Sequence, residues 1–257
     1  MSKIVSPAGS LVVSSGTLQT ALDGTLNGSE IFVAGSGATA GLNFIGDAAI
    51  GFANPTIDYL SMIANLVPGQ ATAGAAVINA VGIVVNEGTI ASNGPAGSVL
   101  TVNILPTSTS SPGYFFNPGL MIANLGDSLI INVGSNAALY NTGSIVANGG
   151  FVQINFAPGA VFGGDAPTRG FNIIEAGGTL ETGSFVPSYV GSNGTHGEYE
   201  FGDSTSGNTL KIDNLAAFGG VILHFAAGDT IDIGTSLQVG TLAACRTYAH
   251  PGFELES

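Results

Sequence analysis

A phrase of nine residues occurs twice in this chain: Asn141-Thr-Gly143-Ser-Ile145-Val-Ala-Asn148-Gly149 matches Asn86-Glu-Gly88-Thr-Ile90-Ala-Ser-Asn93-Gly94 at its turn and core positions. Its kernel is Gly, then Thr or Ser, then Ile or Leu. The kernel returns at Gly16-Thr17-Leu18, Gly24-Thr25-Leu26, Gly178-Thr179-Leu180 and Gly240-Thr241-Leu242. A second phrase, Gly-Asp followed by an apolar run and Gly, spans Gly126 to Gly134 and again Gly228 to Gly234. Between the turn residues lie runs such as Leu129 to Val133, Ser144 to Ala147 and Phe151 to Phe156, too short for helices and the right length for strands. The Asn-Gly, Gly-Gly and Gly-Asp steps supply the positive φ and the local hydrogen bonds that sharp corners need. A degenerate repeat of strand and turn without helices points to a solenoid or propeller, because one such unit buries its apolar face only against the next.

Stacking also accounts for the composition. Charged residues make up 8% of the 257 residues, against the roughly 25% of ordinary domains. In a stacked coil each outer position sits about 4.8 Å from its counterparts above and below, and like charges placed opposite one another repel. Neutral Ser, Thr, Asn and Gln are better outer residues there, and the many Asn at run ends are placed to form ladders. The four cations, Lys3, Arg169, Lys211 and Arg246, face 17 acids, for a net charge of −13. Such a surface repels nucleic-acid backbones and anionic lipid headgroups, so neither is an expected partner. Cys245 is the single cysteine and forms no internal disulfide. The longest mostly apolar stretch, Ala71 to Val85, is interrupted by Thr72, Gly74, Asn79 and Gly82 and is too short to cross a membrane as a helix.

The expected fold is all-β, a right-handed parallel β-helix (β-solenoid) with protruding loops, forming one domain over residues 1–242. At ten to thirteen coils it would be roughly 50 to 60 Å long, at about 4.8 Å per coil. Ile57, Leu60, Ile63 and Leu66 fall at helical spacing before Pro68-Gly69, so a short lateral helix competes with another strand pair there. Two excursions from the coil are expected, at 106–119 (PTSTSSPGYFFNPG) and 187–197, and residues 243–257 read as an atypical tail.

The run GNTLKIDNLAAFGGVILHFAAGDTIDIG, Gly207 to Gly234, resembles a unit of large repetitive surface proteins of Gram-negative bacteria. NTGSIVANGGFVQINFA, Asn141 to Ala157, is similar to coils of filamentous-haemagglutinin-like exoproteins and autotransporter passengers. The resemblance touches about a quarter of the chain directly. It implies a parallel β-helix working as a structural or adhesive segment of a secreted or surface-attached protein. The N-terminal MSKIVSPAGSLVVSS lacks the apolar core of a secretory signal peptide, so no export route comes with the resemblance.

Candidate chemistry is thin. Glu198, Glu200 and Asp203 beside His196 form the best carboxylate grouping for glycan cleavage, and a solvated acidic loop explains them better. Asp203, Asp229 and Asp232 are the calcium candidates, since Ca²⁺ takes carboxylate oxygens from Gly-containing corners, with Asx turns as the simpler explanation. Asp165 follows Gly163-Gly164 but lacks the third glycine of the calcium nonapeptide. His224 reads as a packed or outward strand residue, and His250 with Cys245 lacks further ligands for a metal. Tyr114, Phe115 and Phe116 are the candidate partner contacts, and in an extended chain they cannot all enter one core. No catalytic residue and no cofactor are expected. The expected role is contact with a protein or glycan surface, with self-association through the coil ends into a filament or lattice, or a polysaccharide-active enzyme, as the rivals.

Overall fold

The computed structural model describes the backbone of eight short strands between residues 10 and 64, then residues 73–163, 170–183, 189–190, 197–202, 207–215, 218 and 220–234. These strands wind into a three-sided parallel β-solenoid. In each complete turn the chain adds one strand to sheet A, one to sheet B and one to sheet C. The turn from residue 89 shows the pattern, with Thr89–Ser92 in sheet A, Val99–Leu105 in sheet B and Gly113–Asn117 in sheet C. Among the described residues sheet A has nine strands, sheet C seven, and sheet B ten, one of which, Gly35–Ser36, pairs antiparallel beside the main path.

Among the described residues sheets A and B stack nine levels, against the ten to thirteen coils expected for the chain. A three-sided turn with its corners consumes 20 to 36 residues. Of the stretch 57–66, where a short helix competed with a strand pair, Met62–Ala64 is a strand of sheet A, paired in parallel with Glu30–Phe32 and Thr89–Ala91, and the rest lies outside the described residues. The excursion at 106–119 shrinks to the turn 106–112, because Gly113–Asn117 is a strand of sheet C. Of 187–197, Tyr189–Val190 is a strand, Gly197 is described, and the rest lies outside the described residues, as does the tail 243–257.

Period-two alternation sends every second side chain inward. In sheet B, Ala76, Leu100, Leu129, Val152, Leu180 and Leu210 share one inward row, and Ile78, Val102, Ile131 and Ile154 share the next. Sheet C contributes Val84, Phe115, Leu139 and Phe162. Each buried Leu, Ile or Phe is worth about 1.5–3 kcal/mol relative to exposure. Like stacks on like, so register errors move a whole face outward.

The corners explain the repeats. Between sheets A and B, the register aligns Gly97, Gly126, Gly149, Gly177, Gly207 and Gly228, and all six have φ between 66° and 101°. This column needs glycine for its backbone angle. The next column holds Ser98, Asp127, Asn208 and Asp229, each capping an amide of the level below. Ser98 Oγ accepts from Gly74 N at 3.2 Å, Asp127 Oδ2 from Gly94 N at 2.6 Å, Asn208 Oδ1 from Gly177 N at 3.0 Å and Asp229 Oδ1 from Asn208 N at 3.3 Å. The two Gly-Asp phrases are two occurrences of this corner.

At the corner between sheets C and A the glycines serve another purpose. A Cβ on Gly119 would stand 2.3 Å from Gly88 O, one on Gly143 2.1 Å from Gly119 O, and one on Gly170 2.1 Å from Asn141 O. None of these three has positive φ, so close approach of stacked backbones imposes them. The Gly-Thr/Ser-Ile/Leu kernel is thus not a single structural position. Gly88 and Gly143 belong to this second corner, Gly178 immediately precedes the sheet B strand Thr179–Thr182, and Gly16 and Gly24 are the first residues of their strands.

Candidate functional site

Two asparagine ladders set the shape of the shell. The inner one lies beneath the corner between sheets C and A. Asn86 Nδ2 donates to Asn117 Oδ1 at 2.6 Å, and Asn117 Nδ2 to Asn141 Oδ1 at 2.8 Å. The side-chain nitrogens also reach the first carbonyl of the sheet A strand one level further on: Leu120 O from Asn86, Ser144 O from Asn117 and Phe171 O from Asn141. Asn172 makes the equivalent bond to Glu198 O at 3.0 Å from within the strand itself. The outer ladder climbs sheet B through Asn79, Asn103, Asn132 and Asn155 at 2.8, 2.9 and 3.0 Å. An amide is both donor and acceptor, so these rows continue from level to level without a change of residue.

The aromatic run is divided by the pleat. Phe115 is fully buried and drops out as a partner contact, while Tyr114 and Phe116 face outward from sheet C. They meet a ring the sequence reading missed, Tyr140 of the next level. Ring centroids are 5.1 Å apart for Phe116 and Tyr140 at an interplanar angle of 12°, 6.3 Å for Tyr114 and Tyr140, and 6.2 Å for Tyr114 and Phe116. The signal for Tyr140 was present. It precedes ladder Asn141 as Phe116 precedes Asn117 and Val85 precedes Asn86.

Among the described residues the carboxylates do not assemble into a cleft. Glu198 and Glu200 lie in the strand Glu198–Phe201 of sheet A, not in a solvated loop. Both face outward as alternation requires, Glu198 buried at a register position between Phe171 and Val221, Glu200 between Ile173 and Leu223. Glu200 Oε1 meets His224 Nδ1 at 3.0 Å. His224 stands just past the strand Val221–Leu223, exposed and with φ of 57°, and so is a corner residue instead of the strand residue expected. Asp203, His196 and Asp165 lie outside the described residues, as do Cys245 and His250.

Asp229 closes its own turn by accepting from Ala226 N at 3.0 Å while capping Asn208 N, which occupies its oxygens as an Asx corner does. Asp232 is exposed on sheet B, in register with Lys211. Lys211, the cation among the described residues, binds Glu181 Oε2 at 2.6 Å and Asp213 Oδ1 at 3.6 Å, and Gln153 Nε2 donates to Glu181 Oε1 at 2.5 Å. The hydrogen bond to Glu181 is the main cause holding the Lys211 amine above its ordinary value. Among the described residues no three His, Cys, Asp or Glu side chains are grouped to hold a metal ion, and no helix is long and apolar enough to cross a membrane.

The described chain is therefore a parallel β-solenoid whose interior is occupied by its own side chains and whose outer positions are presented on three sheets. No protein-family model, curated protein or solved structure matches it.

Proposed function

We propose that the chain is a structural or adhesive segment of a secreted or surface-attached bacterial protein, acting by contact through its outer shell and without catalysis. The observation that carries this reading is the shell between residues 73 and 163. It contains two charged residues, Glu87 and Asp127, and Asp127 is 1% exposed. An acid–base or metal mechanism needs titratable groups converging on one point, whereas these levels present amides, hydroxyls and apolar side chains. The similarity of Asn141–Ala157 and Gly207–Gly234 to coils of filamentous-haemagglutinin-like exoproteins and autotransporter passengers supports the same role and an extracellular location.

Reducing-sugar release is the direct test. The purified chain is incubated with neutral and acidic polysaccharides, with and without added calcium. Release above buffer would put the solenoid among polysaccharide-active enzymes and end the contact reading. In that reading calcium plays no part, so EDTA leaves the melting temperature unchanged.

A further inference from the structure

Two of the chain's four Asn-Gly steps lie among the described residues, Asn93-Gly94 and Asn148-Gly149, and they end the two copies of the nine-residue phrase. An Asn-Gly step is chemically labile, because the glycine nitrogen can close on the asparagine Cγ with no Cβ to hinder the approach. Both steps turn the corner from sheet A to sheet B, where the register stacks Ser92, Ala123 and Ala147 on one another. Their surroundings differ. Gly149 N donates to a main-chain carbonyl, Glu175 O, at 2.9 Å, and Asn148 Nδ2 donates to Asn124 Oδ1 at 3.1 Å. Gly94 N donates instead to a carboxylate, Asp127 Oδ2, at 2.6 Å.

We infer that Asn93 is a self-modification site, where Asp127 acts as the base that drives conversion of Asn93 through a succinimide to aspartate and isoaspartate. The N–H of Gly94 lies in the peptide plane, whereas its nitrogen attacks through the face of that plane, so the bond to Asp127 and the attack are compatible. Gly94 N bonds to Asn93 Cγ and gives its proton to Asp127 Oδ2. Asp127 passes that proton to the side-chain nitrogen, which leaves as ammonia. Water then opens the ring at either carbonyl, giving aspartate or isoaspartate.

Enclosure suits Asp127 to this task. The residue is 1% exposed, and its Oδ1 is buried without a partner. Burial holds its pKa above the ordinary carboxylate value, against the pull of the Gly94 and Ser98 amides, and a carboxylate that holds a proton more tightly is the stronger base. The carbonyl that faces Gly149 accepts a hydrogen bond but takes no proton at neutral pH. Space differs as well. Residues 93–98 cross the corner at Asn93, whereas 148–150 suffice at Asn148. Asn93 is exposed, which admits the water that opens the ring, while Asn148 is half-buried in a ladder bond. Since Glu87 and Asp127 are the charged residues between 73 and 163, each conversion adds a third, and isoaspartate lengthens the main chain by one carbon at this corner. The modification is independent of the contact reading above.

Prolonged incubation of the full folded chain at neutral pH tests this, with aspartate and isoaspartate at positions 93 and 148 quantified by tandem mass spectrometry of its peptides. The expected result is conversion of Asn93 at least about tenfold faster than Asn148, a difference that disappears in urea, where neither step keeps its neighbour. Asp127→Asn retains an acceptor for Gly94 but is no base at neutral pH. With its fold verified by circular dichroism, it slows conversion of Asn93 by at least about tenfold and leaves Asn148 as it was. An Asn93 that survives in the folded chain while the unfolded chain converts overturns the inference. So does a folded Asp127→Asn variant that converts as fast as the parent, or a preference for Asn93 that persists in urea, which local sequence alone would explain.

Discussion

The levels from 73 to 163 and those from 170 to 234 share one backbone path and satisfy it with different side chains. The earlier levels contain two charged residues and are tied vertically by amides, in the inner row Asn86, Asn117, Asn141 and the outer row Asn79, Asn103, Asn132, Asn155. In the later levels the outer asparagine row gives way to Gly183 and Asp213, and the adjacent row reads Gln153, Glu181, Lys211, Asp232. An amide row repeats without limit because each member donates to one neighbour and accepts from the other, upward in the inner row and downward in the outer. A charged row must alternate in sign, and this one does. Direct opposition at about 4.8 Å makes two equal charges repel and two unlike charges attract. Scarcity of charge in the whole chain and alternation where charge occurs have the same cause.

The largest effect is expected from backbone packing, within the amide-tied levels. Gly143→Ala sets a Cβ 2.1 Å from the Gly119 carbonyl oxygen and 2.5 Å from Pro118 C, atoms that cannot rotate away. The expected loss exceeds about 3 kcal/mol in chemical denaturation. Gly159→Ala meets nothing within 4 Å and pays only for φ of 83°, about 1–2 kcal/mol. Equal losses at the two sites would show that the close approach at the corner between sheets C and A is not what fixes the glycine. Next in size is Asn117→Ala, which removes the middle of the inner ladder and leaves the Asn141 Oδ1 acceptor without its donor. A loss of about 3 kcal/mol, indifferent to salt, is expected.

In the charged levels the corresponding change is Lys211→Met. Glu181 then loses its cation in a largely buried site, but Lys211 itself is 36% exposed, so solvent screening holds the cost to about 1 kcal/mol. Its pH signature has a definite sign. The folded amine titrates above the ordinary 10.5, so the contribution is full below that value and is lost as pH rises through the raised one. The gap between wild type and variant therefore closes in strong alkali and narrows in high salt, and neither change is expected for Asn117→Ala.

The strands, their parallel stacking and the division of Tyr114, Phe115 and Phe116 between two faces were legible because period-two alternation and turn residues are local signals. The number of levels was not, since corners of variable length separate equivalent residues by 20 to 36 positions. The two roles of glycine were hidden for a related reason. Gly126 and Gly143 look alike in sequence, and only the neighbour one level away shows that one is chosen for φ and the other for contact. Tyr140 escaped for want of that same register, although Asn141 beside it marked the position. Asn172 supplies its ladder bond from a strand position that no Asn at a run end would suggest.

Asp127 is the one place where the uncharged levels carry a charge inside, and it sharpens the comparison. Its Oδ2 accepts the Gly94 amide, its Oδ1 is buried without a partner, and the side chain is almost wholly enclosed. Burial raises its pKa above the ordinary carboxylate value, against the opposing pull of the Gly94 amide. The folded state thus holds the proton more tightly than the unfolded chain. Stability contributed here is full below the unfolded value, falls as pH rises through the raised one, and at neutral pH the ionised group is a net cost. Asn208 occupies the same column and caps Gly177 with a neutral amide at 3.0 Å. Asp127→Asn keeps an acceptor for Gly94 while removing the buried charge, so it is expected to stabilise the chain by about 1 kcal/mol at pH 7 and to abolish the fall in stability that ionisation of Asp127 causes as pH rises. Melting temperatures of the two proteins from pH 3 to pH 8 decide it: curves that meet at low pH and separate toward neutrality fit a costly buried carboxylate, whereas a variant less stable throughout would mean that the charge strengthens the Gly94 cap by more than its burial costs.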